Sequence, residues 1–187
     1  DPFAALLAQG RAAGADFADV YVERWRRRQL RTVNARVTEA TSGIQLGAGI
    51  RLFYGEDVIY GYTNDLSEAA LTELVASLAQ LRSGSAGRPD QSGRGGIDLR
   101  RPASRADIHA PRIDFSTFDK RWRLDRLREL DAGARIAPEI SQVEGRLLEW
   151  EQDVWIANSE GTLAEDRRVR TRMVAQVVAS DASGTQT

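Results

Sequence analysis

The chain has 187 residues, 42% hydrophobic and 28% charged, a balance typical of soluble globular domains and far from that of disordered chains. Its 26 Lys and Arg against 27 Asp and Glu leave a net charge of -1, so no overall field gathers nucleic acid or an anionic membrane. The lack of cysteine excludes disulfide scaffolds, thiol nucleophiles and Cys-containing zinc sites, and a lone His109 excludes a two-imidazole site within one copy. No run of 18 apolar residues occurs, and Asp1-Pro2-Phe3 lacks the basic region and apolar run of a secretory leader, which predicts a cytoplasmic protein without a membrane span. The one methionine is Met173, so either the terminus is trimmed or the sequence is part of a longer polypeptide.

Asp1 as cap, Pro2 at the first helical position, a face of Phe3, Leu6, Leu7 and Ala13, and Gly14 as stop predict a first helix. From Phe17 to Val33 the residues turn β-rich, and the pattern resumes through Gly43 into Ile44 to Tyr54. Gly55-Glu56-Asp57 then turns the chain into Val58 to Tyr62, and so short a connection joins antiparallel neighbours. Ser67 caps a second helix whose Leu71, Leu74, Val75, Leu78 and Leu81 form one apolar stripe.

Residues 83–112 carry five Gly, three Pro and six Arg with few large apolar side chains, which predicts a flexible surface loop. A third helix, capped near Ser116, places Phe118, Trp122, Leu127 and Leu130 at helical spacing before Gly133 and Pro138. The last third reads as a strand from Ile140 to Asn158, a turn at Ser159-Glu160-Gly161, and a strand from Thr162 to Ala179. Leu148, Trp150, Val154 and Ile156 share one parity, while Glu149, Glu151 and Asp153 take the other, predicted to be solvated. A register setting Trp150 opposite Val169 would also pair Glu149 with Arg170 and Glu151 with Arg168, and a bulge at Gly161 would shift it by one residue.

The expected architecture is α+β: long antiparallel strands with helices packed on one face. A weak repeat at an offset of about 124, with Gln29 beside Gln152 and Asn34 on Asn158, suggests an αββ duplication, although identity is too low to establish one. The expected organisation is an N-terminal αβ unit over 1–82, the loop over 83–112, and a second αβ unit over 113–187.

Few groups offer chemistry. The Arg24 to Arg31 run could neutralise phosphates, with Trp25 stacking a base, but strand alternation divides its arginines between two faces. It reads first as a salt-bridged sheet face, whose Arg24, Trp25, Arg26 and Arg28 could equally line a protein interface. Trp155, a large ring among charges, is the other interface candidate. Gly47-Ala48-Gly49 precedes a strand, unlike a phosphate cradle, which opens a helix, so Gly49 is read as a bend or close backbone contact. Asn64 and Asp65 read as capping, and Asn158 and Gly161 as turn residues. His109 beside Asp107 could form a proton-transfer dyad but reads first as a solvated loop residue. No catalytic or metal-ligating residue is assigned.

Four segments in order, Gly14-Ala15-Asp16-Phe17-Ala18-Asp19-Val20-Tyr21-Val22-Glu23, Gly47-Ala48-Gly49-Ile50-Arg51, Gly61-Tyr62-Thr63-Asn64-Asp65-Leu66-Ser67 and Ile156-Ala157-Asn158-Ser159-Glu160-Gly161, resemble the N-terminal region of the TldD/PmbA family, also labelled modulator of DNA gyrase. The last two look closer to the TldD branch than to the PmbA (TldE) branch, which lacks the metal motif. The resemblance implies a zinc-dependent metallopeptidase acting on short or unfolded peptides, working as a homodimer or with a TldE-type partner. It also implies a metal site in a C-terminal domain with a His-Glu-x-x-x-His motif. This sequence has no such motif and stops where family members continue, so the implied role is scaffold and assembly, with zinc held elsewhere in the full-length protein. Two rival readings are a regulator that touches nucleic acid or gyrase through Arg24 to Arg31, and a non-catalytic TldE-like subunit.

Overall fold

A computed structural model describes residues 2–82, 96–101, 113–182 and 184–186. In chain order the elements are α1 (Pro2–Ala12), β1 (Phe17–Val33), β2 (Arg36–Tyr54), β3 (Asp57–Thr63), α2 (Glu68–Leu81), a 3-10 turn (Phe115–Thr117), α3 (Lys120–Ala134), β4 (Ile140–Asn158), β5 (Leu163–Asp181) and β6 (Gly184–Gln186). The strands form one six-stranded antiparallel sheet in the order β3-β2-β1-β4-β5-β6, an α+β fold. A helix leading into a long hairpin occurs twice, as α1-β1-β2 and α3-β4-β5. Asn34 and Asn158 stand at the two hairpin turns.

Two compact units partition the chain: Asp1–Arg24, Gln45–Ile108 and Asp153–Arg167 form the first, and Trp25–Ile44, His109–Gln152 and Arg168–Thr187 the second. Division by position along the chain, at 82 and 113, differs from this one because β1, β2, β4 and β5 are long enough to contribute to both units.

In the first unit, even-numbered residues of β1 and β2 face the helices. Val20, Val22, Ile50 and Leu52 are buried against Leu6 and Leu7 of α1 and Leu71, Val75 and Leu78 of α2. Glycines permit the close approach of helix to strand. A Cβ at Gly10 would stand 2.7 Å from Leu52, and one at Gly61 would stand 2.9 Å from Leu74 and Leu78. Ser67 caps α2 as expected, its Oγ accepting from the Ala70 amide at 3.3 Å, and Gly14 ends the first helical segment at φ 89°. The expected Asp1 cap lies outside the described residues. Most of the expected 83–112 loop does too, but residues 96–101 follow a defined path. Ile97 and Leu99 pack on the core, and Arg100 bridges to Thr162 in parallel, its amide donating to Gly161 O at 2.6 Å. Two apolar side chains and a backbone bridge suffice to anchor this short piece.

In the second unit α3 lies over β4, where a Cβ on Gly145 would come within 3.1 Å of Leu127 and 2.9 Å of Thr32 Oγ1. The helix is capped by Asp119, whose Oδ1 accepts from the Trp122 amide at 2.7 Å, and not near Ser116, because the chain first completes a 3-10 turn. Its inward stripe is Arg123, Leu127 and Asp131. The β1–β2 turn is Asn34-Ala35, both residues at positive φ (50° and 60°), a two-residue hairpin loop. The Asn34 side chain ties it down, accepting from the Val143 amide at 3.0 Å and from Arg135 at 2.7 Å.

Two expectations about β4 need correction. The acidic parity is not solvated: Glu149, Glu151 and Asp153 are 3%, 4% and 8% exposed, sharing the inward face with Val143 and Leu147. Each carboxylate instead meets an arginine from a neighbouring element, as set out below. At the β4–β5 turn, the Gly161 amide donates to Asn158 O at 3.1 Å and the Asn158 amide donates to Thr162 O at 3.0 Å. Asn158 thus faces two residues, with Gly161 at φ 93°. This is the bulge that shifts the register by one, and Arg167 accordingly lies 3.8 Å from Asp153.

Candidate functional site

Alternation along β1 sends Arg24 and Arg26 inward to the acidic side chains of β4. In the first unit, Arg24 Nε and Nη2 both donate to Asp153 Oδ2, at 3.0 and 2.6 Å. In the second, Arg26 Nη2 donates to Glu151 Oε1 at 2.5 Å. Arg123 of α3 meets Glu149 at 2.7 Å, and its other nitrogens donate to the carbonyls of Phe115, Phe118 and Asp119. Such pairing offsets the cost of burying a carboxylate away from water. On the opposite face, Arg31 and Arg146 clamp Glu144 and hold its carboxyl at a pKa of about 2, Arg31 contributing most. The Arg31 guanidinium is shifted up in turn, chiefly by its hydrogen bond to Glu144.

Arg24 and Arg26 are committed to ion pairs, Trp25 lies under the Arg27 guanidinium at 4.8 Å, and Trp155 packs against the core of the first unit. Arg28 lines a cavity of about 670 Å³ in the second unit, together with Leu30, Phe115, Phe118, Leu124 and Leu147.

The turn candidates are local fasteners. Asp65 Oδ1 accepts from the Ser67 amide at 2.8 Å, which lowers its pKa, and Thr63 Oγ1 accepts from the Asp65 amide at 3.1 Å. Asn158 Oδ1 accepts from the Glu160 and Thr162 amides, and the next residue, Ser159, exchanges two hydrogen bonds with Ala18. Asn64 lines the groove described next. Gly49 makes no turn: it lies inside β2, where a Cβ would stand 3.0 Å from the Tyr60 ring. His109 lies outside the described residues.

Sequence reasoning missed a groove on the helix-free face of the first unit. It holds about 190 Å³ between Tyr21 and Glu23 of β1, Gly47, Ala48 and Gly49 of β2, and Tyr60, Tyr62, Thr63 and Asn64 at β3. Tyr60 and Tyr62 are 60% and 74% exposed, with ring centroids 6.4 Å apart. The signal lay in the Tyr-Gly-Tyr spacing on a strand, which puts both rings on one face.

No group of three or more Asp, Glu or His side chains placed to hold a metal ion occurs among the described residues. The buried carboxylates do not fit a zinc ion, because each is already engaged by a guanidinium. No helix among the described residues is long and apolar enough to cross a membrane.

A helix-covered antiparallel sheet with long hairpins and ion-paired strands defines an α+β domain. Residues 18–82 match the PmbA/TldA metallopeptidase domain 1, and residues 113–187 match the PmbA/TldA metallopeptidase central domain. The chain belongs to the PmbA/TldD family. Its fold is similar to that of a Thermotoga maritima protein named as a modulator of a DNA gyrase (TM-score 0.72, 15% identity, 95% of this chain and 39% of that one). A Bacteroides thetaiotaomicron protein named as a modulator of DNA gyrase gives 0.76 at 12% identity, covering 97% and 41%. TldE from Thermococcus kodakarensis gives 0.66 at 17% identity, covering 100% and 41%. The chain thus spans about two fifths of the length of these structures. No curated protein matches it.

Proposed function

We propose that this chain is the scaffold and assembly portion of a zinc-dependent peptidase acting on short or unfolded peptides. The observation that carries the reading is the succession of two metallopeptidase-family domains, at 18–82 and 113–187, in one chain. The chemistry of the chain agrees. One histidine and no cysteine cannot supply a zinc site of the usual donors, and the buried carboxylates neutralise arginines. When bound elsewhere in the full protein, zinc would polarise a peptide carbonyl and activate water. This chain's residues hold the sheet and shape cavities beside it. Pairing with a second copy or with a TldE-type subunit belongs to the same proposal, and similarity to a TldE structure supports it.

The nucleic-acid reading is weaker, because Arg24, Arg26 and Arg31 are spent on Asp153, Glu151 and Glu144. The test is hydrolysis of short peptides by the complete product of the gene, with and without a chelator. Cleavage abolished by the chelator and restored by zinc is expected. Cleavage indifferent to metal removal overturns the proposal.

A further inference from the structure

We infer that the tyrosine groove of the first unit binds the guanidinium of an arginine side chain carried by a peptide. Its volume, about 190 Å³, is below the roughly 300 Å³ at which small-molecule and cofactor pockets begin. It suits one long side chain. Three of its walls are aromatic: Tyr21, Tyr60 and Tyr62 are all exposed. The face of an aromatic ring is electronegative and attracts a cation held within about 6 Å of its centroid. With the Tyr60 and Tyr62 centroids 6.4 Å apart, a single point can lie within that reach of both rings.

The remaining groups point to the same charge. Glu23 places a carboxylate in the wall, positioned by the Tyr21 hydroxyl, which donates to Glu23 Oε2 at 2.8 Å. At the far end Asn64 Oδ1 and the Thr63 carbonyl border Gly47, at 3.2 and 3.3 Å from where its Cβ would be. These are acceptors, and a guanidinium offers five N–H donors in one plane. Gly47 and Gly49 have no side chain, which lets Asn64 and the Tyr60 ring lie close against the β2 backbone at the base of the groove. Arg51 pairs across the strands with Tyr60, and its guanidinium is held by two hydrogen bonds to Asp19, at 2.9 and 2.5 Å. Its charge is answered outside the groove.

The peptide nature of the occupant rests on the proposed function, whereas the site itself is tested by binding alone. Titrate the 187-residue chain with acetyl-Gly-Arg-Gly-amide and with its citrulline counterpart, which keeps the planar shape but carries no charge, following the tyrosine ring resonances. The arginine peptide is expected to shift Tyr60 and Tyr62 saturably, and the citrulline peptide to bind at least several-fold more weakly. Tyr62→Leu should weaken the arginine peptide roughly two- to fivefold, while Tyr62→Phe, which keeps the ring face, should retain it. Tyr62 is 74% exposed, so neither change threatens the fold. Equal binding of the two peptides, no shift at these rings, or equal losses for the Leu and Phe variants would overturn the inference. An inactive complete protein whose groove binds arginine refutes only the peptidase reading. An active one whose groove ignores arginine refutes only this site.

Discussion

Replacing Arg123 by methionine isolates the buried charge that holds α3 to the sheet. The Arg123 side chain is 9% exposed and that of Glu149 3%. The guanidinium donates to Glu149 at 2.7 Å, to the carbonyls of Phe115 and Asp119 at 2.9 and 3.1 Å, and to that of Phe118. Methionine keeps most of the stem packing but strands a carboxylate in the interior, and breaking a buried pair from one side costs about 3–5 kcal/mol. For a chain of this length that corresponds to a fall in Tm of roughly 6–20 °C. Adding Glu149→Met removes the stranded charge and leaves the backbone carbonyls as the main loss, about 1–3 kcal/mol in all. The double variant should therefore be more stable than the single one. Urea unfolding followed by circular dichroism reads both. A double variant no more stable than Arg123→Met, or a single variant within about 1 kcal/mol of the parent, refutes the reasoning.

Glu144 governs part of the acid response. Because its folded pKa lies near 2 against a usual value of 4.5, its contribution is complete above pH 4.5 and is lost as pH falls towards 2. Glu144→Gln should flatten the stability profile in that window and not at neutral pH, as measured by unfolding at a series of pH values. Ala35 occupies the second turn position of β1–β2 at φ 60°, where an L side chain is strained. Ala35→Gly should stabilise the chain by roughly 0.5–1 kcal/mol, once the added freedom of glycine in the unfolded state is subtracted. At Gly161, φ is 93° and a Cβ would stand 2.7 Å from the Asp98 carbonyl. Gly161→Ala should lose about 2 kcal/mol or more, and amide exchange at Arg100 should rise as its bond to Gly161 is broken.

Elements announced by short-range chemistry were legible in the sequence. The Ser67 cap and leucine stripe define α2, Gly55-Glu56 turns β2 into β3, and Asn158 with Gly161 makes the last long turn. The face assignment on β4 was not legible, since alternation shows only which residues share a side. Glu149, Glu151 and Asp153 read as the wet side until Arg123, Arg26 and Arg24, distant in sequence, are seen to cover them. For the same reason α3 hid its inner stripe, which contains Arg123 and Asp131. The Asn34-Ala35 turn escaped notice because alanine is an unusual occupant of positive φ. Membership of the family was readable from four motifs in order. The tyrosine groove was not, because it needs two glycines of β2 placed between β1 and β3.

The most direct test of the framework account is the zinc content of the purified 187-residue chain after incubation with zinc and exhaustive dialysis, read by atomic emission. Far less than one zinc per chain, with no peptide hydrolysis, is the predicted result. One tightly retained zinc per chain together with peptide cleavage would contradict it.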